Sequence, residues 1–266
     1  MTAKLVVANW KMHGTPSETE SLLMEILSTR AGGPDGGART GTVETVIAPP
    51  FTSLPLASRL LAGTGIALGA QSCHWEEEGA FTGDISPKML AECGCTYVIL
   101  GHSERREHAA ETDRQVSRKA VSALFWGLTP ILCVGEKRDE RDSGRAGIVV
   151  RAQVERCLED VALDPGRRLV IAYEPIWAIG SGDQPTGEEI RDIHRTIRAE
   201  MTGILGEPSG GNVPILYGGS VTPFNVASIL ALDGVDGVLV GGASLEPATF
   251  LDILSRAGDP GSPAPG

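Results

Sequence analysis

The chain has 266 residues, 41% hydrophobic and only 5% aromatic, with 23 Lys and Arg against 34 Asp and Glu for a formal net charge of −11. That length holds one large α/β domain or two small ones, and this acidity argues against nucleic acid or an anionic membrane as partner. No apolar run of about 18 residues spans a bilayer, the N-terminus lacks a signal-peptide layout, and the five cysteines and five histidines lack metal-ligand spacing, so a metal-free cytoplasmic protein is expected.

Taken in chain order, strand-like runs alternate with helix-like stretches eight times. The first strand is LVVANW (5–10), followed by a helix expected to open at Ser17, with Glu20 three residues on as its capping partner. A glycine-rich segment, AGGPDGGARTGT (31–42), lies outside any periodic element and reads as a loop. The next strands are VETVIAP (43–49), IALGAQ (66–71), TYVILG (96–101) and LTPILCV (128–134). After them Ala146, Val149, Val150, Val154, Cys157, Leu158 and Val161 fall on one helical face. The sixth strand, RLVIAYE (168–174), ends in an acid. A helix capped by Thr186 and Glu189 follows, with Ile190, Ile193, His194 and Ile197 on its apolar face. VPILYG (213–218) and GVLVGG (237–242) complete the set, and the tail GDPGSPAPG (258–266) reads as disordered.

These runs are rich in Val, Ile and Leu without polar alternation, as strands buried on both faces are. Eight βα units of about 33 residues each fit a single (β/α)8 barrel. A doubly wound open sheet is the competing architecture, but it announces its nucleotide site with G-x-G-x-x-G after the first strand. Here the first strand ends in NWK, and Gly180-Ser181-Gly182 follows the sixth strand with Pro185 in the third glycine's place. The barrel is therefore expected over residues 1–257 as one domain.

In such a barrel the C-terminal strand ends converge on one mouth. They carry Asn9 and Lys11, Gln71, His102 with Glu104, Cys133 with Glu136, Glu174, Ser220, and Gly241 with Gly242. One amine, one imidazole, a carboxylate suited to base work and several glycine-rich backbone turns suit proton movement on a small anionic carbonyl compound.

The strings NWKM (9–12), GAFTGDISP (79–87), ILGHSERR (99–106), CVGE (133–136), AYEPIWAIG (172–180), YGGSV (217–221) and VGGASL (240–245) resemble the triosephosphate isomerase family, in family order over residues 4–256. The resemblance implies a single (β/α)8 TIM barrel and an enzyme without cofactor or metal that interconverts dihydroxyacetone phosphate and D-glyceraldehyde 3-phosphate through an enediolate. It implies Glu174 as the base, His102 as a neutral electrophile, Lys11 as the cation facing the substrate and Asn9 beside its oxygens. A glutamate base, a neutral histidine and a closing loop are themselves a standard example of pKa tuning. By the same resemblance Gly180, Ser220, Gly241 and Gly242 hold the phosphate, Glu104 orients Lys11, and Cys133 and Glu136 support the base. Gln71, Arg105 and Arg106 lie behind the site or at a subunit contact. A homodimer is implied through the loop at 71–84.

The chain departs from the family pattern at His13, where asparagine is usual after the Met, and at Asp183, where the lid usually carries lysine. Pro185 sits near the lid's second hinge, where it limits φ. CHWEEEGAFTGDISP, HSERREHAAET and GEKRDERDSGRA are similar to a branch acting on a four-carbon ketose phosphate, erythrulose phosphate, whereas VGGASL favours the triose. A non-catalytic binder of phosphorylated metabolites is a third reading. Decay of that kind is expected to remove Glu174, His102 or Lys11 first, and all three are present.

Overall fold

Each of the eight apolar runs forms a strand, because each has one face to pack inside a closed sheet and another to pack under helices. The computed structural model describes residues 3–32, 43–180 and 182–258. The strands are β1 (Lys4–Asn9), β2 (Val43–Ala48), β3 (Ile66–Ala70), β4 (Tyr97–Leu100), β5 (Thr129–Val134), β6 (Val170–Tyr173), β7 (Ile215–Tyr217) and β8 (Gly237–Val240). Every pairing is parallel and sequential, and β1 closes on β8 with Leu5 opposite Gly237 and Ala8 opposite Val240.

Two apolar layers explain the missing polar alternation. Leu5, Val7, Val46, Tyr97, Ile99, Ile131, Val170 and Leu216 fill the barrel interior. The alternate residues, among them Val6, Ile47, Val98, Leu132, Ile171 and Ile215, pack outward with helix residues such as Leu23, Val154, Ile197 and Phe250. Period-2 side-chain direction thus puts apolar groups on both faces.

The helices are α1 (Pro16–Gly32), α2 (Leu54–Leu61), α3 (Pro87–Glu92), α4 (Ser103–His108), α5 (Asp113–Phe125) and α6 (Arg138–Asp142), then α7 (Ala146–Cys157), α8 (Gly187–Leu205), α9 (Ser209–Asn212), α10 (Val226–Leu230) and α11 (Pro247–Gly258). Thr186 and Glu189 form the expected capping box at α8. The first helix differs from expectation. Thr15, not Ser17, is its cap: Glu18 accepts from the Thr15 N–H at 2.8 Å and Thr15 Oγ1 accepts from the Glu18 N–H at 3.4 Å. Pro16 at the first helical position favours this earlier start.

The loop expected at 31–42 also begins later, since α1 runs on to Gly32; the rest of that segment lies outside the described residues. Gly258 closes α11, and residues 259–266 of the expected tail likewise lie outside them.

Candidate active site

The C-terminal strand ends surround a cavity of about 360 Å³ whose walls include Asn9, Lys11, His102 and Glu174, together with Gly180, Ser220, Gly241 and Gly242. Eight positions separated by as many as 233 residues of chain thus meet because all eight strands point the same way.

Glu174 follows β6 and is buried. One carboxylate oxygen lies 3.0 Å from His102 Nε2, and the other accepts from the Ser103 N–H at 3.0 Å. The Cys133 thiol, inside the barrel on β5, neighbours the same carboxylate. Burial alone raises the pKa of a carboxyl group. Here the imidazole, the Ser103 amide and the thiol outweigh it and hold the Glu174 pKa below the ordinary carboxylate value. Conversely, burial and the adjacent carboxylate keep the Cys133 thiol protonated, well above its usual range.

His102 caps α4 with its own ring: Nδ1 accepts from the Glu104 N–H at 3.3 Å. An accepting Nδ1 leaves the proton on Nε2, the atom facing Glu174 and the cavity. Burial opposes charge on the ring, but Glu174 and Glu104 more than offset it and hold the His102 pKa above the ordinary imidazole value. The accepted amide bond favours the neutral tautomer, while the two acids favour the cation.

Lys11 has a left-handed backbone, φ 52°. Two neighbours hold it there. Asn9 Oδ1 accepts from the Lys11 N–H at 3.0 Å, and Gln71 Nε2 donates to the Lys11 carbonyl at 2.8 Å and to the Ala48 carbonyl at 2.9 Å. Nζ donates to Glu104 at 2.5 Å. The far end of the Lys11 side chain lies against Gly241, where an added Cβ would meet Lys11 Cε at 3.2 Å. The ammonium thus sits between Glu104 and the glycine turn after β8, which opens a 3₁₀ turn at Gly242–Leu245.

Behind Glu174, Glu136 accepts from Trp177 Nε1 at 2.7 Å and from the Tyr173 hydroxyl at 3.1 Å, yet burial still raises its pKa. This anchors the 3₁₀ turn at Ile176–Ala178, in the segment after Glu174. Arg106 bonds to the carbonyls of Gly101 and Cys133 and pairs with Asp113, tying β4 to β5 outside the cavity. Arg105 pairs with Glu111 at 3.3 Å, also away from the cavity.

Several residues important to this geometry were not singled out by sequence reasoning. Ser103 acts through its backbone amide, which no side-chain pattern reveals. Gly135 has room for no side chain, since a Cβ there would lie 1.7 Å from the Glu174 carbonyl oxygen, and at Gly218 one would lie 3.0 Å from Glu174 Cγ. Ile179, Thr222, Leu239 and Ala243 also line the wall. Gly135 and Gly218 sit inside CVGE and YGGSV, so a signal was available for those two.

Among the described residues no group of three or more His, Cys, Asp or Glu side chains is arranged to hold a metal, and no helix is long and apolar enough to cross a membrane. The family model described as triosephosphate isomerase matches residues 4–257. Curated relatives named triosephosphate isomerase include those of Dictyoglomus turgidum, 45% identical over 254 residues (96% of this chain, 99% of the relative), and Chloroflexus aurantiacus, 44% identical with the same coverage. The relative from Herpetosiphon aurantiacus is 46% identical, again over 96% of this chain and 99% of its own.

Proposed function

The chain belongs to the triosephosphate isomerase family, and from that premise we propose that it interconverts dihydroxyacetone phosphate and D-glyceraldehyde 3-phosphate with the residues around this cavity. Glu174 takes a proton from the hydroxyl-bearing carbon next to the carbonyl, and the released electron pair makes the enediolate. His102 Nε2–H passes its proton to the oxygen gaining charge and then takes the proton of the neighbouring hydroxyl oxygen, so that the neutral ring is restored as the proton moves from one oxygen to the other. Glu174 returns the proton to the adjacent carbon. Lys11 supplies positive charge, with Asn9 and Glu104 fixing where it points. The phosphate rests on Gly180, Ser220, Gly241 and Gly242, where glycine lets the backbone approach closely. Cys133 and Ser103 keep the carboxylate ionised and aimed.

The observation that carries this reading is the single cavity joining Glu174, His102 and Lys11 to those four turn residues. Turnover of either triose phosphate in chelator-treated buffer tests it. Rapid interconversion that survives the chelator is expected; no turnover, or turnover restored only by added metal, overturns it. The four-carbon alternative is not favoured, since the relatives above are named for the triose. Comparing kcat/KM on three- and four-carbon substrates checks that preference.

The unit assigned to this activity is one barrel domain over residues 1–257, with a small phosphorylated sugar as its partner rather than nucleic acid or membrane. A homodimer through the loop at 71–84 belongs to the same reading. His74 there packs against the rings of Trp75 and Phe81, with centroids 4.1 and 4.2 Å away, while Phe81 itself is exposed. A pre-shaped loop presenting an aromatic edge supports burial against a second copy. The five free cysteines support a reducing, cytoplasmic location.

A further inference from the structure

Asp183 and Arg138 are 45 residues apart, on the segment after Glu174 and on α6, and their side chains form an ion pair. The same guanidinium donates to the Trp177 carbonyl at 3.4 Å and lies 5.0 Å from the centroid of the Trp177 ring. Arg141, one helical turn on, covers that ring at 4.0 Å and pairs with Glu189 at 2.7 Å. Arg138 therefore touches this segment at both ends, at the hinge through Trp177 and beyond Gly180 through Asp183.

Neither Arg138 nor Asp183 lines the cavity, but Gly180 does. Asp183 is three residues from Gly180, at most about 11 Å of chain. The segment that is to close on a phosphate dianion thus carries an acid of the wrong sign within reach of it. A free carboxylate about 10 Å from a dianion in water weakens its binding roughly fourfold, and salt screens this effect.

We propose that Arg138 is a positioning residue for the proposed reaction: it neutralises Asp183 and holds it against α6, so that the lid meets the substrate phosphate without a competing negative charge. This rests on the assignment of the cavity as a phosphate-binding site. It gives a reason for the acid at this lid position, namely that its partner on α6 comes with it.

The test uses wild type, Arg138→Ala, Asp183→Asn, the double variant and Arg138→Lys, and reads calorimetric affinity for inorganic phosphate at low and high salt, with KM and kcat on the triose. Arg138→Ala is expected to weaken phosphate about fourfold at low salt and raise KM to match, with kcat changed by less than about twofold. Asp183→Asn should bind more tightly than wild type at low salt, the double variant should return to wild-type affinity, and Arg138→Lys should retain it. Unchanged affinity in Arg138→Ala, a double variant that binds as weakly as Arg138→Ala, or a loss that ignores salt overturns the proposal while leaving the phosphate site standing. Failure of wild type to bind phosphate at all overturns both.

Discussion

His102 Nε2 lies 3.0 Å from Glu174 Oε1, so the imidazole and the carboxylate touch directly and a substrate must come between them. The contact sets the protonation of both groups. It holds the carboxylate ionised and places the ring's N–H at the edge of the cavity. In the proposed reaction the base and the electrophile are thus paired by one hydrogen bond until substrate separates them.

Glu174 is the first position to vary. Glu174→Gln removes the base and should lower kcat by about 10²–10⁴. Glu174→Asp withdraws the carboxylate by one methylene, enough to cost about 10²-fold. Steady-state kinetics on folded protein, checked by circular dichroism, decides this; undiminished activity in either variant removes Glu174 from the chemistry.

The pH profile follows from the same contact. Activity needs ionised Glu174 and a neutral His102 ring. The imidazole, held above its ordinary value, takes up a proton first as pH falls, so kcat/KM is full above the His102 pKa and is lost as pH falls through it, while Glu174, held below the ordinary carboxylate value, stays ionised to lower pH. In His102→Gln burial of the carboxylate remains while the ring's attraction is gone, so the Glu174 carboxyl should protonate at higher pH than in wild type. Infrared titration of the carboxylate in the two proteins checks this, and an unmoved carboxylate means the imidazole does not hold it down.

Lys11→Met should reduce kcat/KM by about 10²–10³, the size of effect seen when one aimed charge is removed from a site. Glu104→Gln leaves the ammonium in place and loosens its aim, so a smaller loss of about two- to fivefold is expected. Equal losses from the two changes would make Glu104 part of the contact with substrate.

Gly135→Ala probes the support beneath the base. The added Cβ would lie 1.7 Å from the Glu174 carbonyl oxygen, so β6 or the turn after β5 has to move. We expect a stability loss of about 1–3 kcal/mol and a fall in kcat of about 10²-fold from the displaced carboxylate. Thermal melting and kinetics together test this, and a variant with native values of both contradicts the close approach.

His194, buried in α8 and bonded through Nδ1 to the Gly234 carbonyl at 2.9 Å, has its pKa lowered by burial to about 4. The unfolded chain takes up a proton near pH 6.5 that the folded chain refuses. Stability is therefore full above that pH and is lost as pH falls toward 4, by about 3 kcal/mol for this group. Denaturant titrations of wild type and His194→Gln across that window should show the steeper decline in wild type. Parallel curves would mean that other groups carry the acid sensitivity.

The barrel was legible in the chain itself, because a strand buried on both faces leaves an unbroken apolar run, and eight such runs at regular spacing leave little choice of architecture. The carboxylate, imidazole, amine and glycine turns were legible too, as residues at strand ends that had to share a mouth. The start of α1 was misread because Thr15-x-x-Glu18 and Ser17-x-x-Glu20 carry the same signal, and only backbone geometry separates them. Tertiary structure alone decided which groups face one another: the Ser103 amide and Cys133 thiol on Glu174, Gln71 on the Lys11 backbone, and Arg138 on Asp183. Burial periodicity is a local property written along the chain. A hydrogen bond across 45 or 71 residues depends on where two backbones end up, and no local pattern encodes that.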